Sequence, residues 1–196
     1  HPSLFRAGAD DRSNRGSRTD SVRITLANLI SKQPDIVLSG INIGDSTTGT
    51  LILRSGTVAG AIEGALWGLP AIAFSKCVPN HLFEGIQKTK GLTEGDFTHS
   101  LIAAATHASQ LATDTLKNPP RTGTVLNINF PAQTNHDSLI EATVPAKIEL
   151  GSLYEATSPG KYAFRYSAGI QLESAQNTDR AALDRGSISR SILDFA

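Results

Sequence analysis

Asp35 to Lys76 reads DIVLSGINIGDSTTGTLILRSGTVAGAIEGALWGLPAIAFSK. Its first five residues, DIVLS (35–39), are a short apolar run of the kind that forms a strand buried on both faces. PAIAFSK (70–76) is a second run of the same kind. Between them, SGTVAGAIEGALWG (55–68) places Val58, Ile62, Ala65 and Leu66 on one helical stripe, with Ser55 as N-cap and Gly68 as C-cap. Strand, helix, strand in this order predicts a βαβ unit and a parallel sheet.

The flanking sequence extends the alternation. Val22, Leu26, Leu29 and Ile30 fall at helical spacing, Asp20 or Ser21 offers a cap, and Pro34 ends the helix. A polar stretch (77–96) precedes a long helical pattern, DFTHSLIAAATHASQLATDTLKN, and then GTVLNINF (123–130), a further buried strand. After Pro131 the segments around 139–150, 161–172 and 178–193 alternate in the manner of strands, and KYAFRY and GIQLE read as a hairpin about a Ser-Ala-Gly turn. The expected organisation is a polar N-terminal arm (1–19), an α/β core with a mostly parallel sheet (20–131) and a β-rich C-terminal extension (132–196).

Composition narrows the function. The 196 residues carry 18 Lys+Arg against 18 Asp+Glu, so nothing advertises a nucleic-acid partner. The single cysteine, Cys77, excludes an internal disulfide and suits a reducing, cytoplasmic compartment. No apolar run approaches the ~18 residues of a membrane span. The chain begins at His1 and has no methionine, so its native start is expected to lie before His1.

In an open α/β sheet, ligands bind outside the carboxyl ends of the strands. Asn42 lies just past one such end, where its amide oxygen could join a Mg²⁺ or Mn²⁺ shell or its NH₂ could hold a substrate oxygen. Ser55, Gly56 and Thr57 open a helix whose backbone N–H groups and positive dipole end suit a phosphate. A metal ligand facing a phosphate cradle makes a phosphoester site. Asp45 is the carboxylate nearest in sequence and could polarise a water or assist the metal. Small residues also serve turns for purely conformational reasons, and Thr47, Thr48 and Thr50 are read as lining the loop. The Walker A and dinucleotide fingerprints are absent. His81, His99, His107 and His136 lack metal-ligand spacing and are read as surface residues. Cys77 and Trp67 are read as packing residues, and Glu63 as exposed or salt-bridged.

PDIVLSGINIG followed by SGTVAGAIEGALWGLPAIAFS resembles the SurE family of metal-dependent 5′/3′-nucleotidases. SRTDSV (17–22), TVLNINFP (124–131) and TDRAALDRGSISRSIL (178–193) resemble further segments of that family. The resemblance implies a Rossmann-like three-layer core, a divalent metal (Mg²⁺ or Mn²⁺), nucleoside monophosphate substrates, and a homodimer or homotetramer built partly by the C-terminal extension. It implies Asn42 as a metal ligand and Ser55-Gly56-Thr57 beside the substrate phosphate. The family's first strand ends in an adjacent Asp pair. Here Asp10 and Asp11 are the only such pair before SGIN, without a buried strand ahead of them, and Ser13 or Ser17 would stand for the family's ligand serine. The expectation is that the first strand, first helix and second strand are missing, leaving one neutral Asn where a Mg²⁺ shell needs carboxylates. Slow hydrolysis and weak metal binding follow. The alternative is a non-catalytic relative that binds a nucleotide or phosphate, or serves assembly.

Overall fold

The computed structural model describes residues 17–149, 151–164, 169–172 and 175–196. A five-stranded sheet is built from β1 (Val37–Ile43), β2 (Ala71–Lys76), β3 (Thr124–Phe130), β4 (Ile140–Thr143) and β9 (Ile188–Asp194), in the order β1-β2-β3-β9-β4. All neighbouring pairs are parallel except β3 with β9. The fold is therefore a mixed α/β architecture with a mostly parallel sheet. The β-rich stretch after residue 132 contributes two of the five strands to this central sheet.

Helices cover both faces, which makes three layers. On one face, α3 (Gly56–Leu66) packs Val58, Ala61 and Ala65 onto Ala71, Ala73, Val125 and Leu193. On the other, α5 (Gly95–Lys117) packs Ala104, Ala108 and Leu111 onto Ile72, Phe74, Ile128 and Phe130. Phe74 and Phe130 stack at 6.1 Å between centroids. Each fully buried Val, Leu, Ile or Phe side chain here contributes about 1.5–3 kcal/mol over its exposed state, and each alanine less.

α3 begins where the sequence places it, since the Ser55 side chain accepts from the Val58 N–H at 3.2 Å. It ends in a Schellman turn, with the Leu69 N–H on the Gly64 carbonyl (3.2 Å), the Gly68 N–H on the Ala65 carbonyl (3.0 Å) and Gly68 at φ +79°. α1 (Arg18–Ile24) is capped by Ser17 in a reciprocal box with Asp20, not by Asp20 or Ser21, and a π-helical turn (Thr25–Leu29) continues it. α1 is fastened to α3 by Arg23, whose guanidinium donates to both oxygens of the buried Glu63 carboxylate (2.8 and 3.1 Å), while the Trp67 indole N–H donates to the same carboxylate at 3.0 Å. The Arg23 hydrogen bonds hold Glu63 below the ordinary carboxylate range despite burial.

Four local expectations change. The stretch between the two small-residue turns contains a helix, α2 (Thr48–Arg54). The polar stretch 77–96 contains α4 (Asn80–Lys88). The segment 178–193 opens with α6 (Asp179–Asp184), capped by the Thr178 side chain. Of the KYAFRY/GIQLE hairpin, residues 165–168 and 173 lie outside the described residues, and the described parts of its two arms pair elsewhere. β7 (Lys161–Phe164) pairs backwards with β6 (Tyr154–Ser158) across Pro159-Gly160, and β8 (Ile170–Gln171) pairs with β5 (Ile148–Glu149). Pro-Gly at the centre of a four-residue turn is the stronger reversal signal.

Candidate functional site: the carboxyl end of the sheet

The sheet face beneath α3 changes character along its length. Ala71, Ala73 and Ser75 of β2 share this face with Val125, Asn127 and Asn129 of β3, and with Leu193, Ser191 and Ser189 of β9. At the amino end of the parallel strands the face is apolar. Toward the carboxyl end it becomes serine and asparagine, all fully buried. Buried polar groups are stable only when hydrogen-bonded, so this end must be a network.

Ser46, in the loop after β1, is the hub. Its N–H donates to Asn129 Oδ1 at 2.8 Å, and its carbonyl accepts from Asn127 Nδ2 (2.8 Å) and Asn129 Nδ2 (3.2 Å). Its hydroxyl accepts from Ser75 Oγ at 2.9 Å and shares a hydrogen bond with Ser55 Oγ at 2.8 Å. The N-cap residue of α3 is thus tied through Ser46 to two central strands. Gly56 is exposed and Thr57 buried at the start of the helix. By βαβ geometry the N-terminus of α3 opens at the carboxyl end of the sheet, which gives that end a positive helix pole. Thr143 extends the buried polar layer, its hydroxyl lying 2.8 Å from both Ser189 and Ser191 hydroxyls.

Asn42 sits on β1 at this same end. Its Nδ2 donates to the Gly44 carbonyl at 3.1 Å, and among the described residues its Oδ1 accepts no hydrogen bond, which leaves that oxygen available as a ligand. Asp45 faces Arg180 across a part-buried ion pair (3.2 Å) and accepts from the Thr47 hydroxyl at 2.7 Å. An aspartate so paired has its charge offset by a guanidinium. Asp10, Asp11 and Ser13 lie outside the described residues. Ser17 is engaged in the α1 cap, its hydroxyl donating to Asp20 at 2.9 Å. The structure therefore gathers Asn42, Asp45 and Ser55-Gly56-Thr57 at one end of the sheet.

Two ionisable groups, the buried Lys76 and the part-buried Cys77, lie beside this end. Lys76, the last residue of β2, is fully buried; its ammonium donates to the Pro131 carbonyl, to the Ala132 carbonyl (2.8 Å) and to Thr134 Oγ1 (3.3 Å), and stands 5.3 Å from the Phe97 ring centroid. Burial pulls its pKa down to about 8. Burial, with Asp45 adding to it, pushes the Cys77 thiol up to about 12, so Cys77 stays a neutral thiol at physiological pH.

Sequence reasoning missed Ser46, Ser75, Asn127, Asn129, Asp179 and Arg180. A signal existed for the asparagines: LNINF puts two amides two residues apart, hence on one face, inside a strand otherwise apolar. Such a pair demands buried partners. Nothing in the local sequence connects Asp179 to a loop 131 residues away.

Taken together these features define an open α/β protein with an anion-compatible helix terminus over a polar plate at the carboxyl end of its strands. The sequence profile of the family described as Survival protein SurE matches residues 6–149. Among similar proteins, the 5′-nucleotidase SurE of Methanococcoides burtonii is 38% identical over 129 residues, covering 65% of this chain and 47% of that protein. The 5′-nucleotidase SurE of Rhodospirillum rubrum is 40% identical over 131 residues, 66% of this chain and 45% of that protein. The crystal structure of the SurE protein from Aquifex aeolicus superposes with a TM-score of 0.63 at 26% identity, covering 93% of this chain and 68% of that one. The chain belongs to the SurE family. It spans about half the length of these curated relatives.

The family implies a divalent metal. Among the described residues no group of three or more His, Cys, Asp or Glu side chains is placed to hold one. The open amide oxygen on β1, Asn42 Oδ1, is neutral, and Asp45 is shared with Arg180. The described residues do not by themselves fit a Mg²⁺ or Mn²⁺ ion, whose dehydration calls for carboxylates.

Proposed function

We propose that the protein is a phosphatase acting on nucleoside 5′/3′-monophosphates, with the substrate phosphate seated against Ser55-Gly56-Thr57. The observation that carries this reading is the 2.8 Å hydrogen bond between Ser46 and Ser55 hydroxyls at the N-terminus of α3, above a buried polar plate. It fixes the helix terminus before any ligand arrives, which reduces the ordering cost of binding. A dianionic phosphate is favoured there by the helix pole and first-turn amides. The names of the relatives, 5′-nucleotidase SurE, support a nucleotide as the carrier of that phosphate. The exposed β6–β7 hairpin supports the further reading that 132–196 takes part in assembling a homodimer or homotetramer.

That the described residues hold no carboxylate cluster favours a second reading for the 196-residue chain by itself: it binds nucleotide and hydrolyses it slowly or not at all. The test is release of inorganic phosphate from AMP in the presence of Mn²⁺, run beside a direct binding measurement. The expected result is AMP binding that adenosine does not match, with release near background. Robust Mn²⁺-dependent release would overturn the second reading, and failure of AMP to bind would overturn the phosphate seat.

A further inference from the structure

The loop Asp45–Thr48 is held from a second direction by two consecutive residues near the other end of the chain. Asp179, fully buried at the start of α6, accepts the Thr48 N–H on Oδ2 (2.8 Å) and the Ala146 and Arg180 N–H groups on Oδ1 (2.9 and 2.8 Å). Its neighbour Arg180 holds Asp45. Thr48 is a buried threonine at φ +59°, in the left-handed region, and among the described residues its hydroxyl has no hydrogen-bond partner. A residue so placed keeps its conformation only where its surroundings over-determine it. The group that does so is the Asp179 carboxylate, aimed at the Thr48 N–H. Two residues before Thr48 is Ser46, whose hydroxyl touches Ser55.

We propose that Asp179 is a positioning residue for the phosphate seat: it locks Thr48 in its left-handed turn, and the locked turn sets Ser46, and through it Ser55, at the mouth of α3. Arg180 steadies the near end of the same loop. This inference rests on the seat proposed above only for its consequence in ligand binding; the mechanical part, from Asp179 to Ser55, stands apart from it.

Asp179→Asn is the direct variant, because it keeps size and one carbonyl oxygen. With that oxygen toward Ala146 and Arg180, the new NH₂ meets the Thr48 N–H, donor against donor; flipped, it leaves the other two unsatisfied. Thr48→Gly is the companion, since glycine adopts φ +59° without strain and removes the orphaned hydroxyl. Two measurements on the 196-residue chain follow. Amide hydrogen exchange at Thr48 and Ser55–Val58 is expected to speed up at least tenfold in Asp179→Asn while β2 and β3 keep their protection, and Asp179→Asn with Thr48→Gly is expected to recover part of that protection, the share set by the left-handed strain, because the backbone N–H at position 48 still faces the new NH₂. Affinity for inorganic phosphate is expected to fall about tenfold in Asp179→Asn and to be partly restored in the double variant. Unchanged exchange at Ser55–Val58, a loss of protection spread evenly over the sheet, or no recovery with Thr48→Gly would each overturn the proposal. Absence of phosphate binding in the parent chain would overturn the seat and leave the exchange result to decide the role of Asp179.

Discussion

Gly40→Ala is expected to destabilise the protein more than any other single methyl addition in the sheet. Gly40 stands at φ +123°, and a Cβ there would lie 2.3 Å from the Phe74 carbonyl oxygen and 3.1 Å from the Phe74 carbonyl carbon and Cβ. The clash is with the backbone of β2, an interior strand paired on both sides, which has no room to yield. Backbone strain and overpacking together cost on the order of 4 kcal/mol, a large share of an ordinary domain's stability. Gly85→Ala is the control. Gly85 is inside α4 with nothing within 4 Å of a new Cβ, so alanine should gain about 0.5–1 kcal/mol from helix propensity. Equilibrium urea unfolding measures both. A Gly40→Ala variant within 1 kcal/mol of the parent, on the scale of ordinary surface changes, would contradict the packing described for β1 on β2. The glycine of SGIN is thus explained by strand packing, apart from any role of its neighbour Asn42.

The second large effect lies in the polar plate. Asn129→Leu keeps the branching at Cγ, with the same added bulk as Asn127→Leu, and removes the acceptor of the Ser46 N–H and one donor to the Ser46 carbonyl. Leaving the buried Ser46 N–H unpaired costs about 2–3 kcal/mol. Asn127→Leu should cost less, about 1 kcal/mol, because the Ser46 carbonyl keeps Asn129 and the Asn127 Oδ1 has no partner to lose. The ordering is the test. Unfolding free energies that put Asn127→Leu above Asn129→Leu would show that the Ser46 hub is not what supports the loop.

The elements whose formation depends on local pattern were legible in the sequence. The SGTV helix has its stripe, its serine cap and its glycine stop within fourteen residues; the structure keeps the cap and the stop, and turns the stripe so that Val58, Ala61 and Ala65 face the sheet while Leu66 is exposed. The strands at 71–76 and 124–130 announce themselves by mainly apolar stretches and are buried along nearly their whole length, whereas β1 at 37–43, expected to be buried on both faces, stands at the edge of the described sheet with Leu38 and Gly40 exposed. The elements that were not legible are held by distant partners. α2 begins Thr-Gly-Thr, a poor helix former, and buries only Thr48 and Ile52; the Asp179 carboxylate on the Thr48 N–H helps fix its start. α6 is six residues in a stretch that otherwise alternates like a strand, and its cap and buried Asp179 give it its place. In the site, Asn42 and Ser55-Gly56-Thr57 were nominated from turn chemistry. The residues that hold those turns still sit on β2, β3 and α6, and no local spacing connects them. Arg180 changes the standing of Asp45, whose isolation in sequence hides a guanidinium 135 residues away.

The central claim is that the N-terminus of α3 is where the phosphate of a nucleotide binds. Backbone amide NMR during titration of the 196-residue chain with AMP tests it most directly. The account predicts saturable shifts concentrated at Gly56, Thr57 and Val58, spreading to Ser46 through its contact with Ser55, with inorganic phosphate moving the same amides and adenosine leaving them in place. Shifts centred instead on the proline-lined hollow between 68–70 and 119–122, at the opposite end of the strands, or no shift at 56–58 at saturating AMP, would contradict it.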